Sequence, residues 1–318
     1  MFRCWGSRRQ RGGEVMPRVL VAGGTGFLGR AFVRGLHRRG AQVAVLTRNP
    51  ARAARLGLPA ECVEGDVRRP GGLASAMHAV DAAILSVQFP GYPVEAPALG
   101  RTFMEVDARG TAALAEAAVE AGVRKLVYLS GVGADPGSAR AWYRAKGLAE
   151  ASVRDSGLDH VIIRPSWVYG PEDRSLNRFV ALIRGIPFVF PQLGDGAGRI
   201  TPIHVDDLAD LVCGATLGSA GDGLTLEAGG PDVVSLDDVV RTAMAVLGRR
   251  RMILHIPVGL VKLAAACAAL LPGQILSPDA VDFVTQDGVA DSDLARRRCP
   301  AFRPRALATG LAEYVSRA

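Results

Sequence analysis

Three glycines near the start of the chain have the spacing of a phosphate-binding turn. Gly23, Gly26 and Gly29 follow the apolar run at residues 19–22 and precede an amphipathic stretch, which is the strand–turn–helix context that such a motif needs. The early glycines let the backbone turn tightly and approach a pyrophosphate, and the last one lets helix and strand pack closely. The N–H groups at the helix N-terminus then face the phosphates. The pattern therefore predicts a dinucleotide site, and the alternative is a glycine-rich turn with no ligand.

The remaining residues of this turn belong to the same predicted site. They are Thr25, Phe27 and Leu28.

A basic residue after the second apolar run bears on the choice of dinucleotide. An acidic side chain at this place accepts hydrogen bonds from the ribose hydroxyls of NAD. The chain instead has Arg48, with Arg52 and Arg55 shortly after. A guanidinium can pair with a 2′-phosphate through two parallel hydrogen bonds. We therefore expect NADP(H), with NAD(H) as the second choice; the alternative is a surface arginine in an arginine-rich protein.

Apolar segments and helical segments alternate along the first half of the chain, and these elements would position the turn. Strands are predicted at residues 19–22, 42–46, 62–67, 82–87, 125–130 and 160–164, and a last one at 224–227. Helices are predicted between them, including one at 103–121 and one at 142–156. This alternation predicts an α/β fold with a doubly wound parallel sheet. Ligands bind at the carboxyl ends of such strands.

The boundaries of the predicted parts follow from this alternation. We expect a basic, disordered tail at residues 1–15 and a dinucleotide-binding Rossmann domain at 16–170, to which 201–235 return. A smaller, mostly helical substrate lobe is predicted from 171–200 and 236–318. Asp206 is a plausible N-cap for a helix in the returning segment. Ser235 with Asp238 resembles a capping box that opens the next helix.

Composition limits the classes of function. The net charge is +7 and the pI about 9.5, but no basic stripe with interleaved aromatic residues indicates nucleic-acid binding. The five cysteines are far apart in the sequence and form no metal-ligand pair, so we expect reduced thiols, no metal and a cytoplasmic protein. The arginine-rich tail superficially suits an organelle address. The preferred explanation is an overlong gene start, in which the true first residue is Met16, because Met16-Pro17 directly precedes the first strand.

A strongly apolar segment at residues 258–271 predicts a helix that is too short to span a bilayer. It is either a buried packing helix or a wall for an apolar, quinone-like substrate or a membrane surface. Peripheral association with a membrane or with a protein complex is therefore open, as is the oligomeric state.

Several motifs occur in the order in which one family carries them. They are Gly23-x-x-Gly26-x-x-Gly29, Asp66-Val67, Asp107-x-x-Gly110-Thr111, residues 130–135, residues 164–171, and His204-Val205-Asp206-Asp207. As a set, over residues 16–310, the chain resembles an extended or atypical short-chain dehydrogenase/reductase of the NAD(P)-dependent epimerase/dehydratase family. It is most similar to the branch resembling the nucleotide-binding accessory subunit of respiratory complex I, in which NADPH is bound without turnover.

The resemblance implies roles for particular residues. Asp66 and Val67 would flank the adenine, and Leu85 and Ser86 would line the nucleotide cleft. Ser130 would lie beside the nicotinamide and take part in catalysis. Lys146 would hold the nicotinamide ribose and serve the chemistry, and Pro165 with Ser166 would contact the nicotinamide end.

The chain departs from the family at the proton donor. In the family, the acid/base pair is a lysine and a tyrosine four residues before it. This spacing places both side chains on one helix face, and the ammonium can lower the phenol pKa. Here Trp142 stands in that place, and an indole is no general acid. Tyr143 lies three residues before Lys146 and is rotated by roughly 100° from the expected position. Tyr169 and His204 are further conceivable donors.

Two functions compete on these observations. In the first, the protein is an NADP(H)-dependent oxidoreductase or epimerase of a small-molecule substrate with a relocated proton donor, for which Tyr143 is the candidate. In the second, it is a nucleotide-binding scaffold or redox sensor without turnover, which bound dinucleotide would stabilise. The Trp142 substitution favours the second, whereas Lys146 and Ser130 favour the first.

Overall fold

The computed structural model describes residues 16–260 and 287–315. The basic tail at residues 1–15 and nearly all of the apolar segment predicted at 258–271 lie outside the described residues. In the part of the chain that the structure describes, no helix has the length and apolarity to cross a bilayer.

The strands and helices have the following bounds. The strands are β1 Arg18–Ala22, β2 Gln42–Thr47, β3 Glu61–Glu64, β4 Ala82–Leu85, β5 Lys125–Leu129, β6 Asp159–Pro165, β7 Val168–Tyr169, β8 Val189–Leu193, β9 Arg199–Ile200, β10 Ile203–His204, β11 Leu224–Ala228, β12 Val234–Ser235 and β13 Met252–Ile256. The helices are α1 Phe27–Arg38, α2 Pro50–Ala54, α3 Leu73–Ala76, α4 Gly110–Glu120, α5 Ala141–Asp155, α6 Leu176–Gly185, α7 Val205–Leu217, α8 Leu236–Val246, α9 Asp293–Arg298 and α10 Leu307–Val315.

Seven strands form one parallel sheet in the order β11-β6-β5-β4-β1-β2-β3. The strand order reverses between β1 and β4, the point where doubly wound sheets bind ligands. The predicted α/β fold is confirmed. The third strand ends at Glu64 rather than at Val67 as predicted, so Asp66 and Val67 lie in the loop beyond it.

Apolar side chains cover both faces of this sheet, which is why its central strands are apolar at nearly every position. On one face α1 and α7 pack over the sheet through residues such as Phe32, Leu36 and Leu208. On the other face α3, α4 and α5 pack through residues such as Leu73, Leu114 and Val153. The carboxyl edge of the sheet lies between these two layers.

The helix predicted at residues 103–121 is not one regular α-helix. A π-helical segment, Phe103–Arg109, comes first, and α4 continues from Gly110. Short π-helical segments inside helices are frequent at functional sites. Here the segment carries Asp107, whose side chain is fully buried.

A third apolar cluster joins α6, α8 and α10 beyond the main sheet. Strands β8 and β13, which the sequence did not predict, form a parallel pair beside it. The predicted capping box at Ser235 and Asp238 is confirmed. The N-cap prediction at Asp206 is wrong by two residues, because the His204 ring accepts the hydrogen bond from the Asp206 amide at the start of α7. The boundaries of the two predicted lobes stay a prediction.

Candidate functional site

The three glycines form a tight turn between β1 and α1. Gly23 has φ +89°, and a Cβ there would lie 2.3 Å from the Ser86 carbonyl oxygen. A Cβ on Gly29 would lie 2.2 Å from the Gly23 carbonyl oxygen. Both contacts are far below van der Waals distance, so these positions require glycine. The turn is thus pressed against the end of β4 on one side and against its own helix on the other.

In the described structure no side chain forms a capping hydrogen bond at the N-terminus of α1. Gly26 is the N-cap residue and has no side chain to offer, so the first amide groups of the helix remain available. Thr25 and Gly26 are exposed, and Phe27 and Leu28 are half-buried. Unused N–H groups, a positive helix end and an exposed glycine turn fit a pyrophosphate.

Arg48 and Asp66 lie near each other, beyond the ends of β2 and β3. The Arg48 side chain is exposed. Hydrogen bonds from Arg68 hold the pKa of Asp66 below its ordinary value, and Arg48 adds a smaller attraction of the same sign. The Arg68 guanidinium donates hydrogen bonds to both carboxylate oxygens of Asp66 and to the Leu99 carbonyl at 3.0 Å. Arg68 was not predicted as a site residue, because its hydrogen bonds reach a loop that comes 31 residues later in the chain.

Leu85 and Ser86, the residues predicted to line the cleft at the end of β4, offer different groups to a ligand. The Leu85 side chain is fully buried in the second apolar cluster, so only its backbone can border a ligand. Ser86 is half-buried and donates its hydroxyl to the Ala22 carbonyl at 2.9 Å. Val67 packs on Gly110, where a Cβ would lie 2.7 Å from its Cγ2. The structure thus brings β1, β4 and the loop after β3 together at this edge.

The residues predicted at the nicotinamide end lie at the ends of β5 and β6. Ser130 is buried, and its amide donates to the Ile163 carbonyl at 2.8 Å. Pro165 ends β6, and its carbonyl accepts from the Val132 amide at 3.3 Å. The Ser166 hydroxyl donates to the Gly288 carbonyl at 2.5 Å and accepts from the Thr201 amide at 3.1 Å. Ser166 therefore joins three segments of the chain, and its hydroxyl is already engaged.

Lys146 lies in the interior, paired with an acid. Its Nζ lies 2.9 Å from Asp107 Oδ1 and donates to the Leu129 carbonyl at 3.2 Å. Burial alone lowers the pKa of Lys146, but the Asp107 carboxylate outweighs it and raises the pKa above its ordinary value. The lysine is thus a fixed positive charge, and the ring centre of Tyr128 lies 5.4 Å from Nζ.

Trp142 and Tyr143 pack on the loop that follows β5. A Cβ on Gly131 would lie 2.3 Å from the Trp142 indole, and one on Gly133 would lie 2.7 Å from the Tyr143 ring. The two rings contact each other at 84°, with centroids 4.8 Å apart. Burial raises the pKa of Tyr143, and the positive charge that opposes this shift is Arg140.

An aromatic cluster that the sequence analysis missed covers this region. Phe89, Tyr92 and Phe103 contact one another with ring centroids 5.1–5.9 Å apart, and Trp142 packs against the same cluster. Burial raises the pKa of Tyr92. The cluster was not predicted, since no periodicity marks rings that converge from a loop and a helix.

The two other candidate donors lie elsewhere. Tyr169 is fully buried in the third cluster, where its hydroxyl lies 2.2 Å from the place of a Cβ on Gly310. The His204 ring stacks edge-on against it at 5.3 Å. Burial lowers the pKa of His204, and Arg305 adds to this shift. Both side chains hold α10 and α7 in place.

Sequence comparisons identify the family to which the chain is similar. A family model described as NAD(P)H-binding matches residues 23–187. The chain is 29% identical over 82% of its length to the NADH dehydrogenase [ubiquinone] 1 alpha subcomplex subunit 9 of Arabidopsis thaliana and spans 66% of that relative, just under two thirds. It is 23% identical over 99% of its length to the NADH-ubiquinone oxidoreductase 40 kDa subunit of Neurospora crassa, spanning 82% of that protein.

A ceramide reductase of Caulobacter vibrioides is 33% identical over 60% of this chain and 58% of its own.

Solved structures share the fold across nearly the whole chain. An NADPH-dependent quinone oxidoreductase of Escherichia coli, complexed with NADPH, superposes with a TM-score of 0.71 at 20% identity, covering 94% of this chain and 99% of the other. A dTDP-glucose 4,6-dehydratase of Streptomyces venezuelae with NAD bound gives 0.71 at 24% identity, over 94% and 96%. The predicted resemblance to epimerases, dehydratases and the complex I subunit is confirmed.

Proposed function

The chain belongs to the NAD(P)H-binding family, and on that premise we propose that it binds NADP(H) without routine turnover, as a nucleotide-binding subunit or redox sensor. The observation that carries the proposal is the state of Lys146. Its ammonium is held by Asp107 in the interior, and the side chain four residues earlier is an indole. The protein keeps the parts that hold a dinucleotide and lacks the usual proton donor.

The cofactor part of the proposal rests on the glycine turn and on Arg48. Gly23 and Gly29 leave no room for a side chain, and the uncapped N-terminus of α1 would receive the pyrophosphate. Arg48, exposed beside Asp66, would pair with the 2′-phosphate of NADP(H). At the place where an acid would accept hydrogen bonds from the ribose hydroxyls of NAD, directly after β2, the chain has Arg48. This supports NADP(H) over NAD(H).

The proton part of the proposal rests on what surrounds Tyr143. In a Tyr/Lys device the ammonium lowers the phenol pKa. Here the pKa of Tyr143 is raised by burial, and the cation that opposes the shift is Arg140. A nicotinamide supplies a hydride when bound, but a substrate that needs a proton would find no activated phenol at this edge. Lys146 would orient a ribose and supply a fixed charge.

Association with a larger assembly is part of the same proposal. Relatives that match 82% and 99% of the chain are named as subunits of mitochondrial NADH dehydrogenase. A bound dinucleotide would stabilise the fold by mass action and so link cofactor level to complex integrity. Nucleic acid has no place in this proposal. A cytoplasmic or membrane-associated location stays a prediction.

A second candidate function is reduction of an apolar or quinone-like substrate. The aromatic cluster of Phe89, Tyr92 and Phe103 beside Trp142 favours it, because such rings bind flat apolar groups. The partial similarity to a ceramide reductase points to the same substrate chemistry. In this version Tyr143 is the relocated proton donor.

One experiment separates the two functions. We would measure NADPH and NADH binding by calorimetry and then NADPH consumption with a panel of quinones, enones and nucleotide sugars. Tight NADPH binding with no consumption supports the scaffold. Turnover that disappears in Tyr143→Phe and survives in Trp142→Phe supports the reductase and would overturn the scaffold. Failure to bind either coenzyme would overturn both.

A further inference from the structure

The pair β8–β13 turns an entirely apolar face outward. In its register Val189 lies beside Met252, Pro191 beside Leu254 and Leu193 beside Ile256. Side chains of a strand alternate between its two faces, so these six residues share one face, which we call the β8–β13 outer face. The opposite face carries Phe190 and Ile253, which pack into the third cluster.

The β8–β13 outer face is exposed at Met252 and Leu254 and half-buried at its other four residues. Met252 is 65% exposed and Leu254 is 53% exposed. A half-buried sheet normally places polar residues on its solvent side. Here the inner face is already packed and the outer face is also apolar. Contiguous exposed apolar surface marks an interaction site.

Phe188 extends the outer face at the start of β8. It is 80% exposed, the largest exposed fraction among the described large apolar residues, and its backbone has φ +70°. A left-handed backbone is unfavourable for a bulky residue. Ile186, two residues before Phe188, is 37% exposed. A strained, exposed phenylalanine next to apolar strands fits insertion into an apolar medium.

Six arginines flank this face in the sequence. Residues 174–194 and 249–260 contain the arginines Arg174, Arg178, Arg184, Arg249, Arg250 and Arg251 and no acidic residue. Arg184 and Arg251 donate only to backbone carbonyls. Within residues 16–260 and 287–315 none of the six forms an ion pair with an acid. Arg178 and Arg184 also lie on the exposed side of α6, which leads into Phe188.

We propose that the β8–β13 outer face, with Phe188 and the flanking arginines, docks the protein on a bilayer surface that contains anionic lipid. An apolar centre flanked by arginines is the combination that anionic membranes attract, since apolar burial and charge attraction act together. Neither the segment at 261–271 nor the cofactor site contributes a residue to the β8–β13 outer face. The proposed docking holds whether or not the protein turns over NADPH.

The test is flotation of the full-length protein with two kinds of vesicle, phosphatidylcholine alone and phosphatidylcholine mixed with phosphatidylglycerol. The wild type is expected to float with the mixed vesicles and to lose binding as salt is raised. Phe188→Asn should lower the partition coefficient about tenfold, by removing one inserted aromatic side chain. Asparagine tolerates a left-handed backbone, so this variant is expected to fold.

Two further variants separate the apolar and electrostatic contributions. Leu254→Thr keeps a strand-forming residue and should weaken binding to both vesicle types. The double variant Arg249→Gln, Arg250→Gln should weaken binding only to mixed vesicles, by roughly fivefold for each arginine. Matched controls are Val119→Gln on α4, and Arg296→Gln with Arg297→Gln on α9, all exposed and away from the outer face.

Three outcomes would overturn the proposal. The first is a wild-type protein that floats with neither kind of vesicle, while Phe188→Asn and Leu254→Thr lower the midpoint temperature of unfolding. This result would assign the face to a contact within the chain. The second is a wild-type self-association or protein complex that these variants abolish, with no lipid binding. The third is loss of lipid binding in the α9 control equal to that in the Arg249, Arg250 variant.

Discussion

The Nζ of Lys146 lies 2.9 Å from Oδ1 of Asp107, and only 6% and 0% of the two side chains are exposed. The pair joins α5 to the π-helical segment in front of α4, across the carboxyl edge of the sheet. A buried ion pair contributes little net stability over an apolar replacement, but removing one partner leaves a buried charge without compensation. The pair therefore fixes the position of Lys146.

Asp107→Asn is expected to lower the free energy of unfolding by about 3–5 kcal/mol, because the Lys146 ammonium loses its partner in the interior. Urea unfolding at neutral pH measures this change. The matched control is Glu105→Gln, which breaks an exposed pair with Arg109 on the same segment and should cost less than about 0.5 kcal/mol. Equal losses in the two variants would contradict the assignment of Asp107 as the partner that holds Lys146.

The same pair predicts a pH dependence. The folded-state pKa of Lys146 lies above the ordinary value of 10.5. Its contribution to stability is therefore complete below pH 10.5 and is lost as pH rises through the folded-state value. The difference in unfolding free energy between wild type and the double variant Asp107→Asn, Lys146→Met, which leaves no buried charge without a partner, should stay constant from about pH 7 to about pH 9 and change only above that range. A change within that range would show that the pair does not keep the ammonium charged.

Gly29→Ala is expected to abolish NADPH binding and to lower stability by about 1–3 kcal/mol, because the new methyl group collides with the Gly23 carbonyl. Calorimetric titration and thermal unfolding measure the two effects. Gly214→Ala on α7 is the control: a Cβ there meets nothing within 4 Å, so binding should be unchanged. Its stability should be unchanged or up to about 1 kcal/mol higher. NADPH binding by Gly29→Ala with wild-type affinity would argue against the phosphate turn.

Arg48→Ala is expected to weaken NADPH binding by about 1.5–3 kcal/mol, the contribution of a hydrogen bond between charged groups, and to leave NADH binding nearly unchanged. Arg297→Ala removes an exposed guanidinium on α9 and serves as the control. Dissociation constants for both coenzymes are the measurement. A parallel loss for NADPH and NADH in Arg48→Ala would refute selection by the 2′-phosphate.

His204→Asn is expected to flatten the acid side of the stability profile. Burial lowers the pKa of His204 below 6.5, so the neutral ring stabilises the fold above pH 6.5, and this contribution is lost as pH falls towards the folded-state value. Asparagine retains an N-cap acceptor for α7 but does not titrate. Between about pH 7.5 and about pH 5 the variant should lose less unfolding free energy than wild type. The exposed His78→Asn serves as the control, and an identical slope in wild type and His204→Asn would contradict the prediction.

The predicted strands agree with the structure where the sequence pattern is local. The apolar runs that became β1, β2, β4, β5 and β6 lie within one or two residues of the prediction, because strands buried on both faces contain few polar residues. The π-helical segment at Phe103–Arg109 was not predicted, since a change of helical period leaves no mark in hydrophobic spacing. The pair β8–β13 was missed because its two apolar strands lie far apart in the chain.

Patterns within short stretches of the chain were enough to predict the strand–turn–helix unit with its glycines, the alternation behind the doubly wound sheet and the loss of the usual tyrosine before Lys146. The folded chain was needed to show that Lys146 pairs with Asp107 and that Arg68 holds Asp66. It was also needed to show that rings from a loop and two helical segments contact one another and that β8 and β13 share an apolar face. Each of those contacts joins segments whose separation is set by packing, and side-chain pairing across such distances leaves no periodic signal in one sequence.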